Sequence, residues 1–299
     1  MCSVDIRHLK NNPRLSYFLD PIENRHVLAE LVDEADVVVH LAAAVGVRLI
    51  IESPVHTIET NVNGTQLVLD TANKKRKLVF CASTSEVYGK SVKLPFTEDA
   101  DLVLGATTKA RWSYAASKAV EEFLAISYWK ERRQPVIIGR LFNTVGPRQT
   151  GRYGMVLPTF ARQAIEGQPI TVYGTGQQSR CFSYVRDVVE AIYRLMSNDR
   201  AVGEVVNIGS QQEVTIGDLA KLVKERARSE SPIVRVPYDE AYEPGFEDMV
   251  RRVPSVQKLE RLAGFVPCTP LPEIVDHVIA HLETSQTRNV ATVSAALEV

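Results

Sequence analysis

Two hydrophobic patterns alternate along the first half of the chain. Short runs rich in β-branched residues, without a polar residue at every second position, predict strands buried on both faces; they cover residues 37–41, 77–81 and 136–141. Segments with apolar residues on one helical face predict helices, at residues 25–32, 57–73 and 113–131. This alternation predicts an α/β fold built on a doubly wound parallel sheet, with a ligand crevice at the carboxyl ends of the strands.

Proline and glycine become frequent after residue 147, and the predicted elements become shorter. Strands are predicted at residues 170–173 and 204–208, and helices at residues 184–196, 216–228 and 271–282. We expect two domains and a frayed tail. The sheet domain comprises residues 1–147 and 182–210, the smaller C-terminal α/β domain comprises residues 148–181 and 211–283, and the tail comprises residues 284–299.

The overall charge points to neither a nucleic-acid nor a membrane partner. The 299 residues include 35 Lys and Arg against 36 Asp and Glu, so no global field attracts a polyanion. The longest apolar stretch, residues 37–47, has about half of the ~20 residues that a membrane span needs, and no secretion signal follows Met1. The 4 cysteines lie far apart, which argues against a zinc site or a disulfide framework and suits the cytoplasm.

The candidate chemistry centres on Tyr114 and Lys118. They lie four residues apart on one helical face, so the Lys118 ammonium is expected to lower the pKa of the Tyr114 phenol and make it a base near neutral pH. This spacing is common by chance, and a solvated helix pair also explains it. The hydroxyl-rich loop at residues 82–89 favours a catalytic role for the pair, because it follows a buried strand at the edge where this fold binds ligands.

Three motifs occur in order: STSEVYG at residues 83–89, YAASK at residues 114–118 and RLFNTVGP at residues 140–147. Together they resemble the extended short-chain dehydrogenase/reductase family, which contains NAD-dependent nucleotide-sugar epimerases, decarboxylases and dehydratases. The resemblance runs from about residue 37 to about residue 282 and implies a Rossmann-type sheet. It also implies NAD as the cofactor, a UDP-sugar as the substrate, and a homodimer formed through the helices at residues 57–73 and 113–131.

The resemblance implies a catalytic set in which Tyr114 is the base, Thr84 bonds the sugar 4-OH, Lys118 holds the nicotinamide ribose, and Glu86 stands beside Thr84. The implied cofactor-binding residues include small residues that let the backbone approach a flat ligand and an Asn that props the active-site backbone. This set is Ala42, Ala43, Asn61, Ser83, Tyr114, Lys118 and Leu141.

The implied substrate-binding residues come mostly from the second half of the chain. Arg180 and Arg252, with Arg251 as the alternative to Arg252, match two arginines that grip the diphosphate, and guanidinium groups suit that role because each binds bidentately. Segments around residues 155–158 and 170–174 resemble those whose backbone frames the uracil. The full set is Thr84, Asn143, Leu157, Val172, Tyr173, Arg180 and Arg252.

The implied reaction begins with oxidation of C4 of the sugar to a ketone, and three outcomes follow from it. Return of the hydride to the other face gives 4-epimerisation, a carboxylate at C5 is lost as carbon dioxide, and loss of water gives a dehydratase. Dehydration is disfavoured because the family's dehydratases carry Asp-Glu where this chain has Ser85-Glu86. We expect a UDP-sugar 4-epimerase, by a narrow preference over a UDP-glucuronate decarboxylase. The decarboxylase is the alternative because Ser85-Glu86 and Arg111-Trp112 resemble the corresponding residues of the UDP-glucuronate decarboxylases.

The chain departs from the family in one respect. Such proteins open with a strand and a G-x-x-G-x-x-G turn that binds the pyrophosphate, whereas the first glycine here is Gly46. Residues 14–19 resemble the third strand, so strands 1 and 2 are expected to be missing and to leave a gap in the sheet. Two hypotheses follow: a shortened form of an active enzyme, or a catalytically silent fragment or binding protein.

Overall fold

The computed structural model of the chain describes residues 6–151, 155–241 and 248–297. Ten strands are assigned in these residues: β1 (Val37–His40), β2 (Leu78–Thr84), β3 (Val136–Leu141), β4 (Thr144–Val145), β5 (Ile170–Tyr173), β6 (Ser179–Cys181), β7 (Ser183–Tyr184), β8 (Val205–Ile208), β9 (Glu213–Thr215) and β10 (Ile233–Val236). Ten α-helices are assigned: α1 (Arg25–Glu34), α2 (Val47–Glu52), α3 (Pro54–Asn73), α4 (Arg111–Arg132), α5 (Val156–Ile165), α6 (Val185–Met196), α7 (Ile216–Arg226), α8 (Tyr238–Ala241), α9 (Gln257–Ala263) and α10 (Leu271–Leu297).

The main sheet has four parallel strands in the order β1-β2-β3-β8, which confirms the predicted α/β fold. Strand β3 lies between β2 and β8, and its first five residues are buried: the apolar Val136, Ile137 and Ile138, as predicted, then Gly139 and the charged Arg140. Strand β2 continues three residues beyond the predicted end at Cys81, because Ala82, Ser83 and Thr84 still pair with β3. This extension carries the hydroxyl-rich segment to the carboxyl edge of the sheet.

Helices cover both faces of the sheet because successive strand residues point to opposite sides. Val79 and Cys81 of β2 pack with Val136 and Ile138 of β3 against α3 and α4. Phe80 and its neighbours on the other face pack against α6 and α9. The arrangement is therefore doubly wound, and it sets α4 beside the carboxyl end of β2.

The second hydrophobic core belongs to the C-terminal half of the chain and is built from α5, β5, α7 and the first part of α10. Helix α9 packs on the sheet core through Leu259, although the sequence division assigned residues 211–283 to the smaller domain. Asp187, in the first turn of α6, accepts hydrogen bonds from the Cys268 and Thr269 amides at 3.0 and 2.9 Å. It thereby fastens the segment before α10 to α6.

Two sequence-based expectations are wrong. Residues 14–19 form no strand, and Tyr17, Phe18 and Leu19 are exposed. Within the described residues β1 pairs only with β2, so residues 14–19 do not extend the sheet at the edge formed by β1. The tail expected to fray is helical, because α10 continues to Leu297 through a stretch of Ala and other residues compatible with a helix.

In the part of the chain that the structure describes, no helix is long and apolar enough to cross a membrane, and no group of three or more His, Cys, Asp or Glu side chains could hold a metal ion.

The packing of Gly139 generates a stability prediction. A Cβ atom on this residue would lie 2.4 Å from Phe80 Cζ and 2.9 Å from Ile208 Cδ1, so Gly139→Ala should lower the free energy of unfolding in urea by about 1–3 kcal/mol. The matched control is Gly64→Ala in α3, where the nearest atom would be Ile22 Cγ2 at 3.4 Å. That change should raise the free energy by up to about 1 kcal/mol, because alanine favours helix. Equal effects of the two substitutions would contradict this packing.

Candidate active site

The carboxyl end of β2 brings three of the predicted catalytic residues together. Thr84 starts a short 3-10 turn, Ser85–Tyr88, and its hydroxyl accepts a hydrogen bond from the Glu86 amide at 3.2 Å. Helix α4 packs against this turn, and the Tyr114 side chain is hydrogen-bonded to Thr84. The hydroxyl, the carboxylate and the phenol therefore share one buried pocket edge.

The electrostatic environment of Tyr114 differs from the expectation. Burial raises the pKa of its phenol well above the ordinary value, and the negative charges of Glu86 and Glu121 raise it further. The hydrogen bond from Thr84 and the charge of Arg252 oppose this increase but do not overcome it. The predicted lowering of this pKa below its ordinary value is therefore wrong: burial dominates, and the Lys118 ammonium forms an ion pair with Glu121 Oε2 at 2.7 Å.

Lys118 is held by a buried chain of hydrogen bonds. Glu121 Oε2 also accepts from Thr65 Oγ1 at 2.7 Å, and Thr65 Oγ1 lies 3.0 Å from His40 Nε2. Burial, followed by the positive charge of Lys118, lowers the pKa of His40 to about 4, so the imidazole is neutral at physiological pH. The chain connects α4 with α3 and the end of β1 and fixes the position of the lysine.

Asn61 supports the loop that follows β1. Its amide oxygen accepts from the Ala44 backbone N–H at 2.7 Å, and its amide nitrogen donates to Ser117 Oγ at 3.1 Å. The side chain is fully buried in the middle of α3, so it props the backbone and offers no surface to a ligand. The loop itself presents Ala42, which is exposed, and Ala43, which is half-buried.

A second buried network lies under the same sheet edge. The Ser83 hydroxyl, expected to contact the cofactor, donates to Glu122 instead. Glu122 also pairs with Arg140, whose guanidinium reaches the Tyr88 hydroxyl at 2.9 Å. The network fixes β2, β3 and the 3-10 turn relative to α4, and Leu141 ends β3 beside it in a half-buried position.

Glu86 is the centre of a buried ion cluster. Its two carboxylate oxygens lie 2.5 Å from Arg111 Nη1 and 2.5 Å from Arg252 Nη1. Burial would raise the pKa of Glu86, but the positive charges of Arg252 and Arg111 outweigh it and lower the pKa to about 2. Glu86 is therefore a buried, ionised partner of both arginines, and its charge acts on Tyr114.

Arg180 joins this cluster through a residue that the sequence analysis did not single out. Its Nη2 lies 2.9 Å from each oxygen of Asp248, and Asp248 Oδ1 lies 3.7 Å from both Arg111 and Arg252. In the sequence, Arg111 stood out only because Arg111-Trp112 resembles the UDP-glucuronate decarboxylases. Asp248 stands four residues before Arg252, but its carboxylate reaches Arg180 across 68 residues of chain, a separation that no local pattern predicts.

The remaining predicted substrate residues lie along the second domain. Leu157 and Val172 are buried in its core, so only their backbone is able to face a ligand. Tyr173 ends β5 and is 41% exposed. Asn143 has a left-handed backbone (φ 25°) and donates to the Cys181 carbonyl at 3.2 Å, so it links the end of β3 to β6.

Comparison with known proteins places this geometry in a family. The family model described as GDP-mannose 4,6 dehydratase matches residues 3–278. A UDP-N-acetyl-alpha-D-glucosaminuronate decarboxylase of Bacillus cytotoxicus is 45% identical over 247 residues, which are 82% of this chain and 76% of that protein. UDP-glucuronic acid decarboxylase 1 of Danio rerio is 34% identical over 260 residues, 86% of this chain and 60% of that protein.

Solved structures share the fold over most of the chain. A UDP-glucuronic acid 4-epimerase from Bacillus cereus, in complex with UDP-glucuronic acid and NAD, superposes with a TM-score of 0.83 at 25% identity and covers 93% of this chain and 85% of its own. The parallel sheet and these matches agree. The chain belongs to the GDP-mannose 4,6 dehydratase family, among the nucleotide-sugar decarboxylases, epimerases and dehydratases of the extended short-chain dehydrogenase/reductase type.

Proposed function

We propose that the protein is an NAD-dependent decarboxylase of a UDP-hexuronate that works through a 4-keto intermediate. The observation that carries the proposal is the buried cluster in which Arg111 and Arg252 hold ionised Glu86 next to Tyr114. In a UDP-hexose the sugar is neutral and only the diphosphate is negatively charged, whereas a UDP-hexuronate also carries a carboxylate at C5. Arg180 and Arg252 are expected to bind the diphosphate, and the third buried arginine of the cluster, Arg111, suits the uronate carboxylate.

The relatives support the same choice and reverse the preference for an epimerase drawn from the sequence. Both relatives described above are named as decarboxylases of UDP-sugar acids, with or without an N-acetyl group at C2. A 4-epimerase of a UDP-hexuronate is the second candidate, because the Bacillus cereus enzyme of that name has the same fold. Both candidates begin with the same oxidation at C4.

The residues at the sheet edge suit NAD as the cofactor. The small side chains of Ala42 and Ala43 leave the loop backbone accessible at the carboxyl end of β1, and Tyr114 and Lys118 lie on the helix beside it. We assign the nicotinamide half to these residues together with Leu141 and the backbone of Ser83. NAD, when bound, accepts the hydride from C4.

Tyr114 and Thr84 handle the proton of the sugar 4-OH. The two side chains are hydrogen-bonded to each other, so a hydroxyl placed beside them is oriented to give its proton to the phenolate form of Tyr114. The raised pKa leaves most of the protein in the phenol form at neutral pH, so only the ionised fraction starts the reaction. After oxidation, the C5 carboxylate stands β to the new carbonyl; loss of carbon dioxide moves the C5–carboxylate electron pair towards O4, and Tyr114, now protonated, donates its proton to that oxygen. Uptake of a proton at C5 and return of the hydride to C4 complete a reaction without net oxidation.

Glu86 has a supporting role in this scheme. Because its pKa is about 2, it carries no proton to give at neutral pH, and it holds Arg111 and Arg252 in fixed orientations. The guanidinium groups then meet the negative charges of the substrate from one side of the pocket. This arrangement separates proton transfer, by Tyr114 and Thr84, from charge recognition by the arginines.

We also propose a homodimer formed through the outer faces of α3 and α4. The two helices pack side by side and leave four apolar side chains exposed: Val55, Ile58, Val120 and Phe123. A cluster of this kind on adjacent helices is typical of a surface that another protein chain covers.

The decarboxylase proposal predicts release of carbon dioxide when the purified protein is incubated with NAD and either UDP-glucuronate or UDP-N-acetylglucosaminuronate. Tyr114→Phe should lower kcat by at least about 100-fold with little change in UDP affinity, and Tyr193→Phe, on the exposed face of α6, should match the wild type. Interconversion of the uronate without loss of mass would identify an epimerase. Binding of UDP without turnover would identify a binding protein and overturn the proposal.

The charges around Tyr114 predict the direction of a pH effect. Glu121→Gln removes a negative charge that raises the pKa of Tyr114 and frees the Lys118 ammonium. The phenol then ionises at lower pH, so the acid limb of the kcat/KM profile should move down by roughly one pH unit. Glu131→Gln, an exposed change on the same helix, should leave the profile unchanged. A limb that stays in place or moves up would contradict the effect.

The proposed dimer predicts twice the chain mass by light scattering. Phe123 is 69% exposed on α4, and Phe123→Glu should yield a monomer because it places a charge in the covered apolar surface. Val189→Glu, at a similarly exposed position on α6, should remain dimeric. A wild-type protein that is monomeric at micromolar concentration would exclude the proposed surface.

A further inference from the structure

The donors of Arg180 are engaged within the protein. Nη2 bonds both oxygens of Asp248 at 2.9 Å, and Nη1 donates to the carbonyls of Ser179 and Met249 at 2.8 Å each. Arg180 as a whole is only 7% exposed. A diphosphate that binds this arginine through Nη2 must therefore take the position of a carboxylate.

Asp248 is shared more widely than an ordinary ion-pair partner. Besides Arg180, it lies 3.7 Å from a terminal nitrogen of Arg111 and of Arg252, and the Tyr238 hydroxyl donates to it at 3.3 Å. Its own neighbour, the Met249 amide, donates to Oδ1 at 2.8 Å. One carboxylate thus faces three guanidinium groups.

The charges of the cluster do not cancel. Among the described residues, the three arginines and the two carboxylates, Glu86 and Asp248, carry a net charge of +1. Burial, followed by repulsion from Arg252, lowers the pKa of Arg180 to about 10, and Asp248 opposes this decrease. Without Asp248 the pocket would hold a stronger positive charge at a higher cost in desolvation and repulsion.

We propose that Asp248 is a resident counter-ion of the nucleotide diphosphate site, displaced from Arg180 when the diphosphate binds. Carboxylate and phosphate groups accept the same bidentate pair of bonds from a guanidinium, so the two compete for Nη2 of Arg180. Asp248 stabilises the arginine cluster before the ligand arrives and lowers the affinity for the ligand. The identity of the full ligand rests on the proposed function, but the competition itself concerns only the diphosphate.

The test is calorimetric titration of UDP into the wild type and Asp248→Asn. Loss of the competing carboxylate should tighten UDP binding by about 3- to 10-fold and lower the melting temperature. Inorganic pyrophosphate should show the same direction, whereas uridine, which has no diphosphate, should bind both proteins equally. Asp276→Asn is the matched control, because Asp276 pairs with Arg226 in an exposed ion pair, and it should leave UDP affinity unchanged.

Equal or weaker UDP binding by Asp248→Asn would overturn the proposal and make Asp248 a residue that orients the arginines for the ligand. Absence of UDP binding to the wild type and to every variant would overturn it as well. If Asp248→Asn does not fold, the comparison is made between Arg111→Gln and the double variant Arg111→Gln/Asp248→Asn, in which the cluster keeps its net charge of +1. The outcome is independent of carbon dioxide release, so failure of the decarboxylase proposal is recognised separately.

Discussion

Buried guanidinium groups need counter-ions, and in this protein that requirement joins the two halves of the chain. Glu86 leaves the sheet on the turn after β2, whereas Arg252, Arg180 and Asp248 come from the C-terminal half. Removing one partner of a buried ion pair typically costs about 3–5 kcal/mol, so the pairing fixes how the end of β2 meets those segments. The groups that hold the fold together at this point are also those to which we assign the nucleotide diphosphate.

Helix α4 carries buried polar and charged side chains of the candidate site and its supporting networks. Arg111, Tyr114, Lys118, Glu121 and Glu122 recur at helical spacing and are all buried, yet they enter different networks. Arg111 belongs to the ion cluster, Tyr114 meets Thr84, and Lys118 with Glu121 connects to α3. Because each side chain has its own fixed partner, the protonation of Tyr114 depends on charges from several elements and not on the nearest lysine alone.

Much of the fold could be predicted because the strands carry a strong local signal. Strand β3 forms over the predicted residues 136–141 because the apolar Val136, Ile137 and Ile138 suit a strand buried between two neighbours; Arg140 is the buried exception and pairs with Glu122. Residues 14–19 were expected to form a strand only from the resemblance to the family, and an extended segment becomes a strand only where it pairs with a neighbour. The end of β2 was also misplaced, because the prediction stopped where the apolar run stops, whereas Ala82, Ser83 and Thr84 continue to pair with β3.

The sequence by itself determined the fold class, the family and the presence of Thr84, Tyr114 and Lys118 on adjoining elements, because those features depend on short-range spacing and residue type. The tertiary structure alone decided which charges meet. The pairing of Lys118 with Glu121, the burial of Glu86 between two arginines and the bond from Arg180 to Asp248 all depend on desolvation and on contacts between distant segments. Electrostatic energies change with burial and distance, and both depend on contacts between segments that are far apart in the sequence.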